Sequence, residues 1–113
     1  MISGLLEIEI MNSVWSLQTK DEDMNISVSE VVEYLEKQDI SRAYTTIKTV
    51  MDRLSSKDLL VRYRDGKKFY YRSTFDKEEV ASETLKEIAG QYFNGDYVEM
   101  LRFVEKQCKE LLV

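Results

Sequence analysis

A mainly α-helical chain carrying one small β-hairpin is the fold class this sequence predicts, and three observations predict it. Apolar residues recur at helical spacing through most of the 113 residues. One amphipathic segment, Ala43 to Leu54, runs directly into a short apolar strand, an Asp-Gly pair and a second, aromatic strand. Charge is segregated as well: Ser41 to Ser73 holds nine Lys/Arg against three Asp/Glu, a net of +6, while the rest of the chain holds seven against eighteen. The formal net charge of −5 therefore conceals a basic patch. Because screening confines electrostatic attraction to about 8–10 Å at physiological salt, a polyanion responds to such a local patch rather than to the whole chain.

The first helix is expected over about 4–17, where Leu5, Leu6, Ile8, Ile10, Met11, Val14, Trp15 and Leu17 fit the i, i+3, i+4, i+7 pattern and Glu7 and Glu9 point to water. Gln18 to Asn25 lacks apolar periodicity and reads as a solvated loop, with Asn25 and Ile26 able to form a very short edge strand. Ser27 and Glu30 make an S-x-x-E capping box for a second helix over about 28–38, with Val28, Val31, Val32 and Leu35 as its buried stripe. After a tight connection at Asp39 to Arg42, Ser41 is expected to cap a third helix that buries Ala43, Ile47, Val50, Met51 and Leu54. Two helices so joined form a helix-turn-helix, whose second helix is the one that enters a DNA major groove.

Leu59 to Val61 leave that helix as a strand, and Asp65-Gly66 signals a type I′ hairpin. In the return strand Phe69 and Tyr71 share one face, placing an aromatic pair over the core, with Tyr70 and Arg72 on the other face. Asp76 and Glu79 repeat the capping pattern before a helix over about 77–91, with Val80, Leu85, Ile88, Ala89 and Tyr92 as its apolar positions. Phe93-Asn94-Gly95-Asp96 stops that helix and caps a last one over about 97–111. The expected organisation is thus a winged helix-turn-helix domain at 1–75 and a helical region at 76–113.

The side of the third helix away from its buried stripe carries Tyr44, Thr45, Thr46, Lys48, Thr49 and Arg53, with Ser41 and Arg42 just before it. Hydroxyls, threonine methyls and cations are the groups that read base edges and hold phosphates, and threonine is a mediocre helix former, an odd choice for a merely solvated face. Arg62, Arg64, Lys67 and Lys68 flank the hairpin turn, where long cations can straddle a phosphate backbone. Lys48 and Arg53 also have a local alternative, pairing with an acid such as Asp52. These residues point to double-stranded DNA as partner. The competing reading is a winged helix serving protein–protein assembly through the acidic remainder of the chain.

The late helices carry Leu85, Ile88, Tyr92, Phe93, Tyr97, Leu101, Val104 and Cys108, more apolar surface than short helices need for packing on a small domain. A two-fold homodimer through them would present two reading helices to an inverted repeat. Cys108 lies on the same stripe and reads as a small core residue rather than a redox sensor. With one cysteine and no histidine, the usual zinc and acid–base constellations cannot be assembled, so no catalytic residue, metal or cofactor is expected. The carboxylate pairs Glu7/Glu9 and Glu30/Glu33 do not by their spacing imply a buried site. No apolar run nears the roughly 20 residues of a membrane span and the first residues lack a basic signal-peptide region, so a cytoplasmic location is expected.

The stretches Glu7-Ile8-Glu9-Ile10-Met11, Val28-Ser29-Glu30-Val31-Val32 and above all Ala43-Tyr44-Thr45-Thr46-Ile47-Lys48-Thr49-Val50-Met51-Asp52-Arg53-Leu54 to Lys57-Asp58-Leu59-Leu60 resemble the BlaI/MecI/CopY family of winged-helix transcriptional repressors. The resemblance spans nearly the whole chain. It implies a homodimer on a palindromic operator, the third helix in the major groove, the wing on the backbone and the C-terminal helices at the dimer interface. Three departures matter. Family members released by a regulatory protease are cut at an Asn-Phe bond, where this chain has Arg102-Phe103, which argues against that partner. Copper-responsive members carry a cysteine cluster, where this chain has Cys108 alone. Asp58 stands at the helix end where the family usually has glycine, a place requiring the left-handed conformation that Asp tolerates better than most residues.

Overall fold

The computed structural model describes residues 4–19 and 25–112. The order of elements is α1 (Leu5–Gln18), α2 (Val28–Glu36), α3 (Tyr44–Ser56), β1 (Leu60–Asp65), β2 (Lys68–Ser73), α4 (Lys77–Tyr92) and α5 (Tyr97–Leu111). The chain divides into two compact units, one ending at Lys77 and one beginning at Glu78. Among the described residues no helix is long and apolar enough to cross a membrane.

In the first unit α1, α2 and α3 converge on Ile10, Met11, Val14, Val31, Leu35, Ile47, Met51 and Leu54, all buried. Ser27 caps α2 in both directions of the predicted box: its hydroxyl accepts from the Glu30 N–H at 3.2 Å, and its own N–H donates to Glu30 Oε1 at 3.1 Å. The turns that end α2 and α3 share one solution. Asp39 (φ 61°) and Asp58 (φ 62°) are both left-handed, and the residue after each donates back five positions, Ile40 to the Leu35 carbonyl and Leu59 to that of Leu54, both at 3.0 Å. This is the Schellman closure, and it usually recruits glycine because a Cβ is strained there. Asp58→Gly should therefore raise stability by about 0.5–1 kcal/mol, read as a higher melting temperature.

The hairpin pairs β1 and β2 in antiparallel register from Leu60↔Ser73 to Asp65↔Lys68. This register corrects the expected turn: Gly66 and Lys67 are its central residues, not Asp65 and Gly66. Only Gly66 takes a positive φ (65°), as a loop with glycine first requires, whereas a type I′ turn needs two positive φ angles. Ile26 adds the short edge expected of it, exchanging backbone hydrogen bonds with Tyr71 at 3.1 and 2.8 Å. Gln18, expected in the loop, is instead the last residue of α1, and its amide clasps Ser73 through the backbone N–H at 2.7 Å and the hydroxyl at 2.8 Å. Residues 20–24 of that predicted loop lie outside the described residues. Trp15 donates its indole N–H to the Phe75 carbonyl at 3.0 Å, so α1 anchors the chain as it leaves the hairpin.

Three further expectations fail for physical reasons. Glu7 does not point to water: it is 4% exposed, its carboxylate held by Lys57 Nζ at 2.6 Å, while the apolar Leu5 and Ile8 are the exposed residues of that turn. Ala43 is exposed, because it is the N-cap of α3 and precedes the first buried turn. Of the aromatic pair on β2, Tyr71 alone is fully buried in the core; Phe69, nearer the hairpin tip, stays 38% exposed.

In the second unit Val80 and Ala89 are the buried residues of α4. Asn94 (φ 53°) and Gly95 (φ 76°) reverse the chain, with the Gly95 N–H returning to the Ala89 carbonyl at 2.8 Å. Asp96 then caps α5 through the Val98 and Glu99 N–H groups at 2.9 and 3.2 Å. Helix α5 buries none of its residues.

Candidate nucleic-acid interface

Helix α3 buries Ile47, Val50, Met51 and Leu54 and so turns Thr45, Thr49 and Arg53, each four residues apart, to solvent as one row beside Thr46. Tyr44 is exposed at the start of the helix. The Thr49 hydroxyl donates to the Thr45 carbonyl at 2.8 Å, leaving its methyl and a lone pair outward. Ser41 does not cap α3 as expected. Ala43 is the N-cap and makes no side-chain capping hydrogen bond, which leaves first-turn N–H groups and the positive end of the helix dipole without a cap among the described residues. Ser41 and Arg42 are exposed just upstream, Arg42 donating to the Ser41 carbonyl at 2.8 Å.

The hairpin supplies the second part of the face. Arg62 lies over the Phe69 ring at 4.6 Å from its centre and Arg64 at 5.8 Å. Arg64 also donates to the Gly66 carbonyl at 2.9 Å. The exposed phenyl thus orders two guanidinium groups rather than covering the core. Lys67 and Lys68 are exposed at the tip, and among the described residues they and Arg53 form no ion pair.

What joins helix to hairpin is Asp52, which the sequence suggested only as a local partner for Lys48 or Arg53. Its carboxylate accepts from Lys48 Nζ at 2.8 Å, Arg62 Nη1 at 3.1 Å and the Tyr71 hydroxyl at 2.6 Å. These donors come from α3, β1 and β2, so a single acid ties both hairpin strands to the helix. Partial burial pushes the Asp52 carboxyl upward, but the hydrogen bonds from Lys48, Tyr71 and Arg62 outweigh it and hold the group below the usual carboxylate range. Burial, and next the bond to Asp52, push the Tyr71 phenol well above its ordinary value. The i, i+4 spacing of Lys48 and Asp52 was the one local signal. The links to Arg62 and Tyr71 depend on the approach of the hairpin and have none.

The residues expected at an interface between copies belong to the second unit. Leu85, Ile88, Tyr92, Tyr97, Leu101 and Val104 are all exposed large apolar side chains. Phe93 is half-buried against Phe103, ring centres 5.5 Å apart. Cys108 is exposed and not packed within the chain as a core residue would be.

Comparison with known proteins identifies the family. The family model described as penicillinase repressor matches residues 3–111. The chain is similar to the penicillinase repressor of Staphylococcus aureus, 27% identical over 93 residues, covering 82% of this chain and 68% of that one. It is similar to the methicillin resistance regulatory protein MecI of Staphylococcus aureus strain N315, 28% identical over 102 residues, covering 89% and 77%. Among solved structures, the Bacillus licheniformis BlaI monomer in complex with the blaP half-operator is 30% identical, covering 70% of this chain and 87% of that one with a TM-score of 0.49. A family match over nearly the entire chain, on a fold whose α3 and hairpin present one basic face, places this protein in the penicillinase repressor family of DNA-binding transcriptional repressors.

Proposed function

We propose that this repressor binds a palindromic operator as a homodimer, with α3 in the major groove and the hairpin on the adjoining backbone. The observation that carries the reading is the continuity of the face. The solvent row Thr45, Thr46, Thr49 and Arg53 meets the cations of the hairpin across the Asp52 tie. An uncapped helix start adds N–H donors suited to phosphate. Arg42, Tyr44 and Lys48 flank the row, and Arg62, Arg64, Lys67 and Lys68 reach along the backbone. If about four to six phosphates are neutralised per subunit, log–log affinity falls with salt at a slope steeper than about −3. Arg53→Ala and Thr46→Ala should each weaken binding to the selected operator by about 1–3 kcal/mol while leaving the oligomeric state unchanged. Footprinting affinity equal to that of the wild type would remove the residue from the reading face.

The dimer is supported by α5, a 15-residue helix with no buried residue that exposes Tyr97, Leu101 and Val104. Apolar surface of this extent is a liability in a monomer and a resource in a two-fold interface. With Leu85, Ile88, Tyr92, Phe93 and Cys108 it forms the proposed contact between copies. Leu101→Asp should convert the dimer to monomer in sedimentation at micromolar concentration, and an unaltered dimer would take this helix out of the interface. Arg102-Phe103 in place of an Asn-Phe bond argues against release by a regulatory protease.

A further inference from the structure

The acid at the centre of the proposed reading face is charged with the wrong sign for DNA. Among the described residues Asp52 is the only acid between Ser41 and Ser73 that forms an ion pair, and it holds two cations, Lys48 at 2.8 Å and Arg62 at 3.1 Å. Its side chain remains 30% exposed, so the pairs form at the surface, within reach of solvent and of any phosphate that approaches.

We propose that Asp52 is a specificity-setting residue: its carboxylate occupies the place of a phosphate between Lys48 and Arg62, positioning both cations and cancelling much of their pull on DNA of arbitrary sequence. To recruit either cation a phosphate must displace the carboxylate, and exchanging one ion pair for another of like geometry gains little. Sequence-independent attraction then falls to the hairpin cations outside these two bridges, Arg64, Lys67 and Lys68. Contacts from Thr45, Thr46 and Thr49 to base edges are untouched by this exchange. The ratio of operator binding to random binding rises, although absolute affinity falls. Arg62 is held from its other side by Phe69, at 4.6 Å, so it keeps its position whether the anion beside it is the carboxylate or a phosphate.

The inference rests on the assignment of α3 and the hairpin to DNA, and its test separates the two. Asp52→Asn keeps the side-chain size and an oxygen that can accept from Tyr71 and Arg62, but not the charge. The full-length wild type and variant are titrated with a duplex of scrambled sequence over a series of KCl concentrations. The variant should bind about 3–10-fold tighter at low salt, with a log–log slope steeper by about one, as expected for one more phosphate neutralised. Asp52→Ser, which keeps a hydroxyl for Tyr71, should move the slope in the same direction. Salt slopes equal to that of the wild type in both variants, or weaker binding in both, would reduce Asp52 to a tether and overturn the proposal while leaving the DNA assignment standing. A wild type that binds no duplex in a salt-dependent way would remove the assignment and the proposal together.

Discussion

Tyr71→Ala is expected to cost about 3–5 kcal/mol of stability, the range for deleting a fully buried aromatic ring. The ring has no solvent exposure and is the one hairpin aromatic that reaches the helical core. Its loss opens a cavity beneath β2 and also cuts the hydroxyl bond to Asp52 at 2.6 Å. Tyr71→Phe separates the two effects. It keeps the ring and removes only a hydrogen bond to a charged acceptor, a loss of about 1.5–3 kcal/mol. The two variants also differ from the wild type in alkali. Because the folded phenol titrates above the unfolded value of about 10, its contribution is complete below pH 10 and is lost as the pH rises beyond it. Urea unfolding at pH 8 and at pH 11 should show a fall for the wild type that is smaller in Tyr71→Phe. The Asp52 carboxyl works in the opposite direction. Its folded value lies below the unfolded one, so its contribution is present at neutral pH and is lost only in acid.

Lys57→Met carries the second large effect. Lys57 reaches from the C-cap of α3 to Glu7 of α1, with contacts of 2.6 and 3.0 Å to the two carboxylate oxygens. The carboxylate side is buried, and the ammonium side is about one-third exposed. Removing the cation takes the ion-pair partner from a buried carboxylate, a change that in closed sites costs about 3–5 kcal/mol, and the partial exposure of Lys57 brings the expected loss to about 2–3 kcal/mol. Replacing both residues, Glu7→Met with Lys57→Met, should recover most of it, since an apolar pair in such a place is often as stable as the ion pair. Thermal melts of the single and double variants test this. A double variant no better than Lys57→Met would mean that the pair is required for more than neutralising its own charge.

The elements were legible where local chemistry decides them. The capping box at Ser27 and Glu30 and the stop and restart at Asn94 to Asp96 follow from residues within a turn of one another, and each stands in the fold as read; the left-handed Asp58 followed from the family resemblance, and it stands too. The solvent-facing row on α3 was legible for the same reason: a 3.6-residue period fixes which side faces out once the buried stripe is known. Errors came where a partner distant in sequence decides. Glu7 looked solvated because Lys57 is 50 positions away. Asp52 looked like a helix-surface acid because Tyr71 and Arg62 reach it only when the hairpin folds back. Phe69 looked like core because alternation shows which face a residue shares, not how far along that face the core extends. The turn shifted by one residue because Asp65 pairs with Lys68, which leaves Gly66 to take the positive φ alone.

The most direct test of the central claim, that α3 and the hairpin form a single sequence-reading face, is selection of random duplexes by the purified full-length chain, followed by salt titration of the enriched site. The expected product is an inverted repeat, its half-sites separated by about one helical turn or a multiple of it, bound with a steep salt dependence that Arg53→Ala weakens. Flat enrichment with weak, salt-insensitive binding would contradict it.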